Sequence, residues 1–215
     1  MITTDGLQLV ERAKALGVTI DEPRATRLLA YLDAMLTINE QINLTAVRDR
    51  EQAVVLHVLD GLVFDLLGLH PRHALDLGTG NGFPGVAVAM LHPGASMVLM
   101  DRTGKKLRAI GGCLVQARCD GIETLHLDAE QAPGLRRDLR HAFDLVTARA
   151  VASPERCAEL AEPLLRPGGH LVLWLDADAE APEKLGPFRR VQMRPYDLPA
   201  PAARRRVLGD WQKKP

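Results

Sequence analysis

Glycine recurs at Gly78, Gly80, Gly82 and Gly85, and Asp76 stands two positions before the first of them. A turn this rich in glycine lets the backbone approach a ligand closely, and a helix following it points free N–H groups at that ligand. The acid indicates which ligand. A carboxylate at the end of a strand attracts the ammonium of S-adenosylmethionine or orients the loop, whereas a dinucleotide loop binds a pyrophosphate that an acid would repel. Gly80-Asn81-Gly82-Phe83-Pro84-Gly85 does match GxGxxG, so a nicotinamide-dependent oxidoreductase is one alternative. A non-catalytic binding module with the same fold is another. Asp76, together with Pro84 at the expected first position of a helix, favours S-adenosylmethionine.

Three further positions fit the same ligand. Asp101 closes the next apolar run, where a doubly wound sheet brings a carboxylate to the ribose hydroxyls. Ala129-Glu130 follows the third run, near the adenine edge. Arg149 ends the fourth, in the crevice where such sheets bind ligands. No metal site is expected, because Cys113, Cys119 and Cys157 have no metal-ligand spacing, and an odd number of thiols suits a reducing cytosol.

The elements that must position these residues change character near residue 70. Before it, apolar positions recur at helical spacing, with one helix starting near Glu22-Pro23 and another over 50–67. From His73 onward short apolar runs alternate with helical stretches: strands at 74–77, 97–100, 124–127, 143–146 and 170–174, and helices at 84–91, 105–118 and 154–165. Pro167-Gly168-Gly169 reads as the turn into the fifth strand. Val191-Gln192-Met193 and Arg205-Arg206-Val207-Leu208 read as two closing edge strands. The expectation is a class I S-adenosylmethionine methyltransferase fold: α/β, Rossmann-like and doubly wound, with a mostly parallel seven-stranded sheet and helices on both faces. Residues 1–70 would form a helical extension and 71–215 the methyltransferase domain.

Composition adds limits. With 47% hydrophobic and 25% charged residues among 215, the chain matches ordinary globular proteins and excludes disordered, collagen-like and disulfide-scaffold classes. Its 27 basic and 27 acidic side chains cancel, so any nucleic-acid contact must be local. Candidate patches are Arg102, Lys105, Lys106 and Arg108; Arg136, Arg137 and Arg140; and Arg204 to Arg206 with Lys213 and Lys214. Neither an export signal in Met1 to Asp5 nor a membrane-spanning run is evident, so a cytoplasmic protein is expected.

Four segments stand out together: Ile42-Asn43-Leu44-Thr45-Ala46-Val47, His57-Val58-Leu59-Asp60, the run from Leu75 to Gly85, and Ala148-Arg149-Ala150-Val151-Ala152. In combination they resemble the RsmG (GidB) family, whose members methylate N7 of a guanine in small-subunit (16S) ribosomal RNA. The resemblance extends from about Leu28 to Trp174. It implies that Gly78, Phe83, Ala129, Glu130 and Arg149 contact the cofactor, with Asp76, Gly80 and Gly82 in the same loop and Asp101 on the ribose. Arg149 is then the leading catalytic residue, beside the incoming base. Asn43, Thr45 and His57 would cap the acceptor pocket, and Lys105 and Lys106 would meet the RNA. A monomer acting on the RNA, bare or within the subunit, is expected. Asp128, Asp176 and Leu56 stand where the family commonly carries basic residues, which weakens the expected grip on phosphate. Guanine N7 bears a lone pair and no proton, so no acid–base residue is needed. Thr147-Ala148-Arg149-Ala150 lacks the Asn/Asp-Pro-Pro-aromatic stretch that exocyclic amine methylation would use.

Overall fold

The structure is a computed structural model that describes residues 4–214. Three helical segments come first: α1 (Thr4–Ala15), α2 (Glu22–Asn39) and α3, which runs over 50–67. Asp21 caps α2, its side chain accepting a 2.9 Å hydrogen bond from the Arg24 N–H, while Pro23 occupies the first turn, where no N–H is missed. The expected second helix is continuous but not uniform. It is α-helical at Arg50–Ala53, π-helical at Val54–Leu59, α-helical again at Asp60–Leu62 and 3-10 at Val63–Leu67. A wider π turn is uncommon and tends to occur where function needs a displaced carbonyl or side chain.

Eight strands follow: β1 (His73–Leu77), β2 (Ser96–Asp101), β3 (Ile122–His126), β4 (Phe143–Arg149), β5 (Leu165–Asp176), β6 (Lys184–Leu185), β7 (Phe188–Asp197) and β8 (Arg205–Lys213). They form one sheet in the order β3-β2-β1-β4-β5-β8-β7-β6. The first five are parallel, and β8 enters antiparallel between β5 and β7. Helices α4 (Gly85–Leu91), α5 (Gly104–Ala117), α6 (Ala132–Leu135) and α7 (Pro154–Ala161) fill the crossovers.

Period-two alternation sends successive side chains to opposite faces. Ala74, Leu145, Val172 and Trp174 face a core shared with α1 to α5, including Leu9, Leu28, Val58, Val86 and Leu107. Leu75, Leu77, Val146, Ala148, Leu171 and Leu173 face a second core with Cys157, Phe188 and Trp211. Burial on both sides explains why the central strands read as unbroken apolar runs.

Several sequence expectations are corrected. The sheet has eight strands rather than seven, because Gly186-Pro187 turns a two-residue strand back along β7. β8 is interior rather than an edge strand, paired on both sides. The helix expected to reach Leu165 stops at Ala161, and Leu165 already pairs with Phe143. Pro167-Gly168-Gly169 therefore lies within β5, where the ladder to β4 shifts register between Phe143 and Leu145. Proline and glycine tolerate such an irregularity, which a sequence pattern reads as a turn. Among the described residues no helix is long and apolar enough to cross a membrane. Met1 to Thr3 and Pro215, ends of the expected two-part division and of the sequence read for export signals, lie outside the described residues.

Candidate cofactor and acceptor site

At the end of β1 the chain turns through Gly78 (φ +63°) and Gly80 (φ +57°), a left-handed conformation that favours glycine. The Thr79 N–H donates to the Met100 carbonyl at 3.0 Å, tying the loop to β2. Asp76 is fully buried beneath this turn. Its carboxylate accepts hydrogen bonds of 2.6 Å from both Thr79 Oγ1 and Thr147 Oγ1, one in the loop and one in β4. Burial raises its pKa to about 6 against the opposing effect of the Thr147 and Thr79 hydroxyls, the Arg149 charge and the Gly85 N–H. Asp76 lies beneath the crevice, and through these two bonds it orients the loop. Gly82 lies outside both cavity linings, and a Cβ there would collide with Tyr31 Oη. That hydroxyl donates to the Asn81 carbonyl at 2.8 Å, clamping the loop to α2.

Two adjoining cavities open at the carboxyl ends of the strands and share Gly78, Asp101, Lys106 and Ala150. The first, about 510 Å³, is lined by Met100, Leu127, Asp128, Ala129, Glu130, Val151 and Arg156 among others. The second, about 470 Å³, is lined by Leu44, Leu56, His57, Gly80, Phe83, Arg149, Asp176, Arg204 and Arg206 among others. Each is of a size that takes a small ligand. Asp101 stands between the lobes, accepting from the Gly80 N–H at 2.9 Å and the Thr103 N–H at 2.8 Å. The Glu130 N–H donates to Asp128 Oδ1 at 3.0 Å, and the Glu130 carboxylate pairs with Arg156.

Arg149 fastens the second lobe to the helical layer. Nη1 donates to the Leu56 carbonyl and to Asp60 Oδ2, each at 2.8 Å, and Nη2 donates to the Phe83 carbonyl at 3.2 Å. Its side chain is 11% exposed and Asp60 is fully enclosed. Asp60 also accepts from Tyr196 Oη at 2.6 Å, and its backbone carbonyl accepts from Trp174 Nε1 at 2.6 Å. His57 and Asp60 do not bond each other, as three-residue spacing on an α-helix would allow. The π turn intervenes, and both face Arg149 instead.

The His57 ring stacks on Phe83 with centroids 5.8 Å apart and planes 17° from parallel. Its Nε2 lies 3.1 Å from Thr45 Oγ1 and its Nδ1 3.4 Å from Arg149 Nη2. Burial first, and the Arg149 charge second, lower its pKa to about 3, so the ring is neutral near pH 7.

The other expected residues divide. Thr45 stands behind His57, whereas Asn43 is exposed and outside both linings. Lys106 lines both lobes and Lys105 neither, since neighbours on a helix point in different directions. The carboxyl-terminal basic cluster splits too: Lys213 is buried and pairs with the partly exposed Glu162, while Arg204 pairs with Asp176 at 3.0 Å. Asp176 thus sits at the rim with its own cation. Sequence reasoning passed over Tyr31, Asn39 and Thr147, and placed Arg206 only in a basic patch, whereas it lines the second cavity. Asn39 accepts from the Leu44 and Thr45 N–H groups at 2.8 and 2.9 Å, building the loop that carries Thr45. A polar residue at the end of an apolar helical face was the only signal for it.

The sheet order, the glycine turn after β1 and the crevice over the strand ends define an S-adenosylmethionine-dependent methyltransferase fold. A solved methyltransferase of that type from Aquifex aeolicus matches 75% of this chain and 93% of its own, with TM-score 0.56 and 15% identity. The sequence profile described as rRNA small subunit methyltransferase G (GidB) matches residues 24–185, and the chain belongs to that family. Curated relatives named "Ribosomal RNA small subunit methyltransferase G" include one from Caldanaerobacter subterraneus subsp. tengcongensis, 32% identical over 80% of this chain and 72% of that protein. Another, from Leptothrix cholodnii, is 33% identical over 81% and 78%. The oxidoreductase reading of GxGxxG falls with this membership, and both Gly82 and Gly85 leave no room for a side chain, since a Cβ would collide with Tyr31 and Leu99 respectively.

Proposed function

We infer that this chain transfers a methyl group from S-adenosylmethionine to N7 of a guanine in 16S ribosomal RNA. The observation carrying this reading is the two-lobed crevice whose lobes meet at Gly78, Asp101 and Lys106, in a chain of this family. The first lobe fits the adenosine part of the cofactor: Asp101 offers acceptor oxygens toward a ribose, and Ala129-Glu130 borders the adenine position. Gly78 fits it as well, because a Cβ there would press on Val151 Cγ2 at 2.9 Å and narrow the cradle. When bound, S-adenosylmethionine supplies an electrophilic methyl on a sulfonium.

The cofactor extends into the second lobe along Gly80, Phe83 and Arg149, and the rest of that lobe is the acceptor side, with His57, Phe83 and Arg149 as its walls. Guanine N7 has no proton to lose, so the residues there need only orient the base and exclude water. Alignment of that type supplies roughly 7–11 kcal/mol. Arg149 acts by holding the His57 turn and Phe83 in place, and the neutral His57 offers the base a flat, uncharged neighbour. Thr45 sets the His57 ring, and Lys106 supplies a cation at the rim for RNA; Asn43 and Lys105 are reserved for outer contacts with the same RNA. Residues 1–70 act as an extension packed on the 71–215 domain. The enzyme works as a cytoplasmic monomer, in keeping with its buried free thiols and with exposed Leu7, Val115, Leu135 and Val191 on separate elements.

The test is methyl transfer from labelled S-adenosylmethionine to small ribosomal subunits and to naked RNA, with the modified nucleotide mapped. Label at a guanine N7 is expected. Label elsewhere, or calorimetric binding of a nicotinamide dinucleotide in preference to S-adenosylmethionine, refutes the reading.

A further inference from the structure

Arg206, on β8, lines the acceptor lobe with its side chain 11% exposed. A guanidinium carries five N–H donors and no acceptor. Here Nη1 is 3.5 Å from Asp60 Oδ2 and Nη2 is 4.0 Å from Asp176 Oδ1, ion-pair contacts too long to be good hydrogen bonds. Nε is enclosed with no hydrogen-bond partner among the described residues. Leaving donors unmet in so sheltered a place is costly, and native proteins keep such groups where something else completes them.

The other cations of the lobe are differently placed. Arg149 spends its donors on Leu56, Asp60 and Phe83. Arg204 is half exposed and paired with Asp176. Lys106 belongs to both lobes. Arg206 alone among them combines shelter with unspent donors.

We propose that Arg206 is the residue that selects guanine, donating from a terminal Nη group to O6 of the target base; this rests on the guanine-N7 reading above. On guanine, O6 and N7 are neighbouring acceptors on one edge. N7 must stay free to take the methyl group, so O6 is the acceptor left for a donor-only side chain. Adenine presents an N–H₂ donor at that place, which a guanidinium cannot satisfy, and a site left unpaired rejects the wrong base strongly. The flanking carboxylates of Asp60 and Asp176 argue against the other common arginine ligand, a phosphodiester, since they would repel an anion. They also balance the Arg206 charge when N7 methylation makes the base cationic.

The test compares the wild-type chain with Arg206→Met, which keeps much of the volume and removes the donors. Four quantities are measured: kcat/KM on small ribosomal subunits, the S-adenosylmethionine dissociation constant, the urea unfolding midpoint, and the salt dependence of RNA binding. Expected is a loss of about 100-fold in kcat/KM, the scale of a hydrogen bond from a charged group. Cofactor affinity and salt slope should not change, and the midpoint should fall far less than in Asp60→Asn, because Asp60 keeps Arg149 and Tyr196 and the enclosed, unmet Nε is removed. Arg206→Lys, which keeps a donor, should regain part of the rate. Unchanged kcat/KM overturns the proposal. So does a salt slope smaller by about 1, which marks a phosphate contact, or a rate loss that comes with a fall in the midpoint as large as that of Asp60→Asn. If the wild-type chain itself puts no methyl on guanine, the parent reading fails instead.

Discussion

Asp60→Asn should destabilise the chain well beyond an ordinary surface substitution. The carboxylate is fully buried and has three partners: Arg149 Nη1 at 2.8 Å, Arg206 Nη1 at 3.5 Å and Tyr196 Oη at 2.6 Å. Asparagine keeps the shape and an acceptor for Tyr196 but removes the charge. Two guanidinium side chains, each 11% exposed, are then left facing one another without their shared counter-ion. Removing one partner of a buried ion pair costs about 3–5 kcal/mol. Arg149 retains the Leu56 and Phe83 carbonyls, so the lower part of that range is expected. Against a typical total of roughly 5–15 kcal/mol, that is a large share. Urea unfolding should show a lower midpoint at unchanged slope. Adding Arg149→Met to Asp60→Asn should cost less than the sum of the two single changes, since each removes part of the same interaction. A loss below about 1 kcal/mol for Asp60→Asn, the scale of an exposed ion pair, or strict additivity in the cycle, would refute the view that Asp60 joins the helical layer to β4 and β8.

Other outcomes follow from the same geometry. Because burial raises the Asp76 pKa to about 6, its contribution to stability is fully present below the unfolded value near 4 and is lost as pH rises through 6. Asp76→Asn lacks this titration, so its stability relative to wild type should rise by about 3 kcal/mol between pH 4 and 6 and level off above; a flat difference in urea midpoints counts against the buried charge. Gly82→Ala places a methyl against Tyr31 Oη, with overpacking of about 1–3 kcal/mol expected, and Tyr31→Phe should recover part of it in thermal unfolding. Lys106→Ala should weaken RNA binding and shrink the salt slope by about 1, whereas Lys105→Ala, at an outer contact away from the crevice rim, should have a clearly smaller effect on both. Equal effects at both positions would mean a broader basic surface.

What the sequence by itself determined was local. Apolar runs buried on both faces marked the parallel strands, and Glu22-Pro23 ahead of a helical apolar period marked α2, because these signals depend on neighbours along the chain. Asp76 and the glycines likewise announced a ligand turn. The packing partners of those residues were decided only in three dimensions. Asp76 turned inward because Thr79 and Thr147, 68 positions apart, meet over it. Gly82 proved to make room for Tyr31, a contact across 51 positions with no periodic trace. β8 became interior because the antiparallel return from β7 enters beside β5, a choice no segment encodes alone. That placement brings Arg206 and Tyr196 to Asp60 and Arg149, so the cluster behind the second cavity is assembled from four separate elements of the chain. Each is unremarkable until long-range packing joins them.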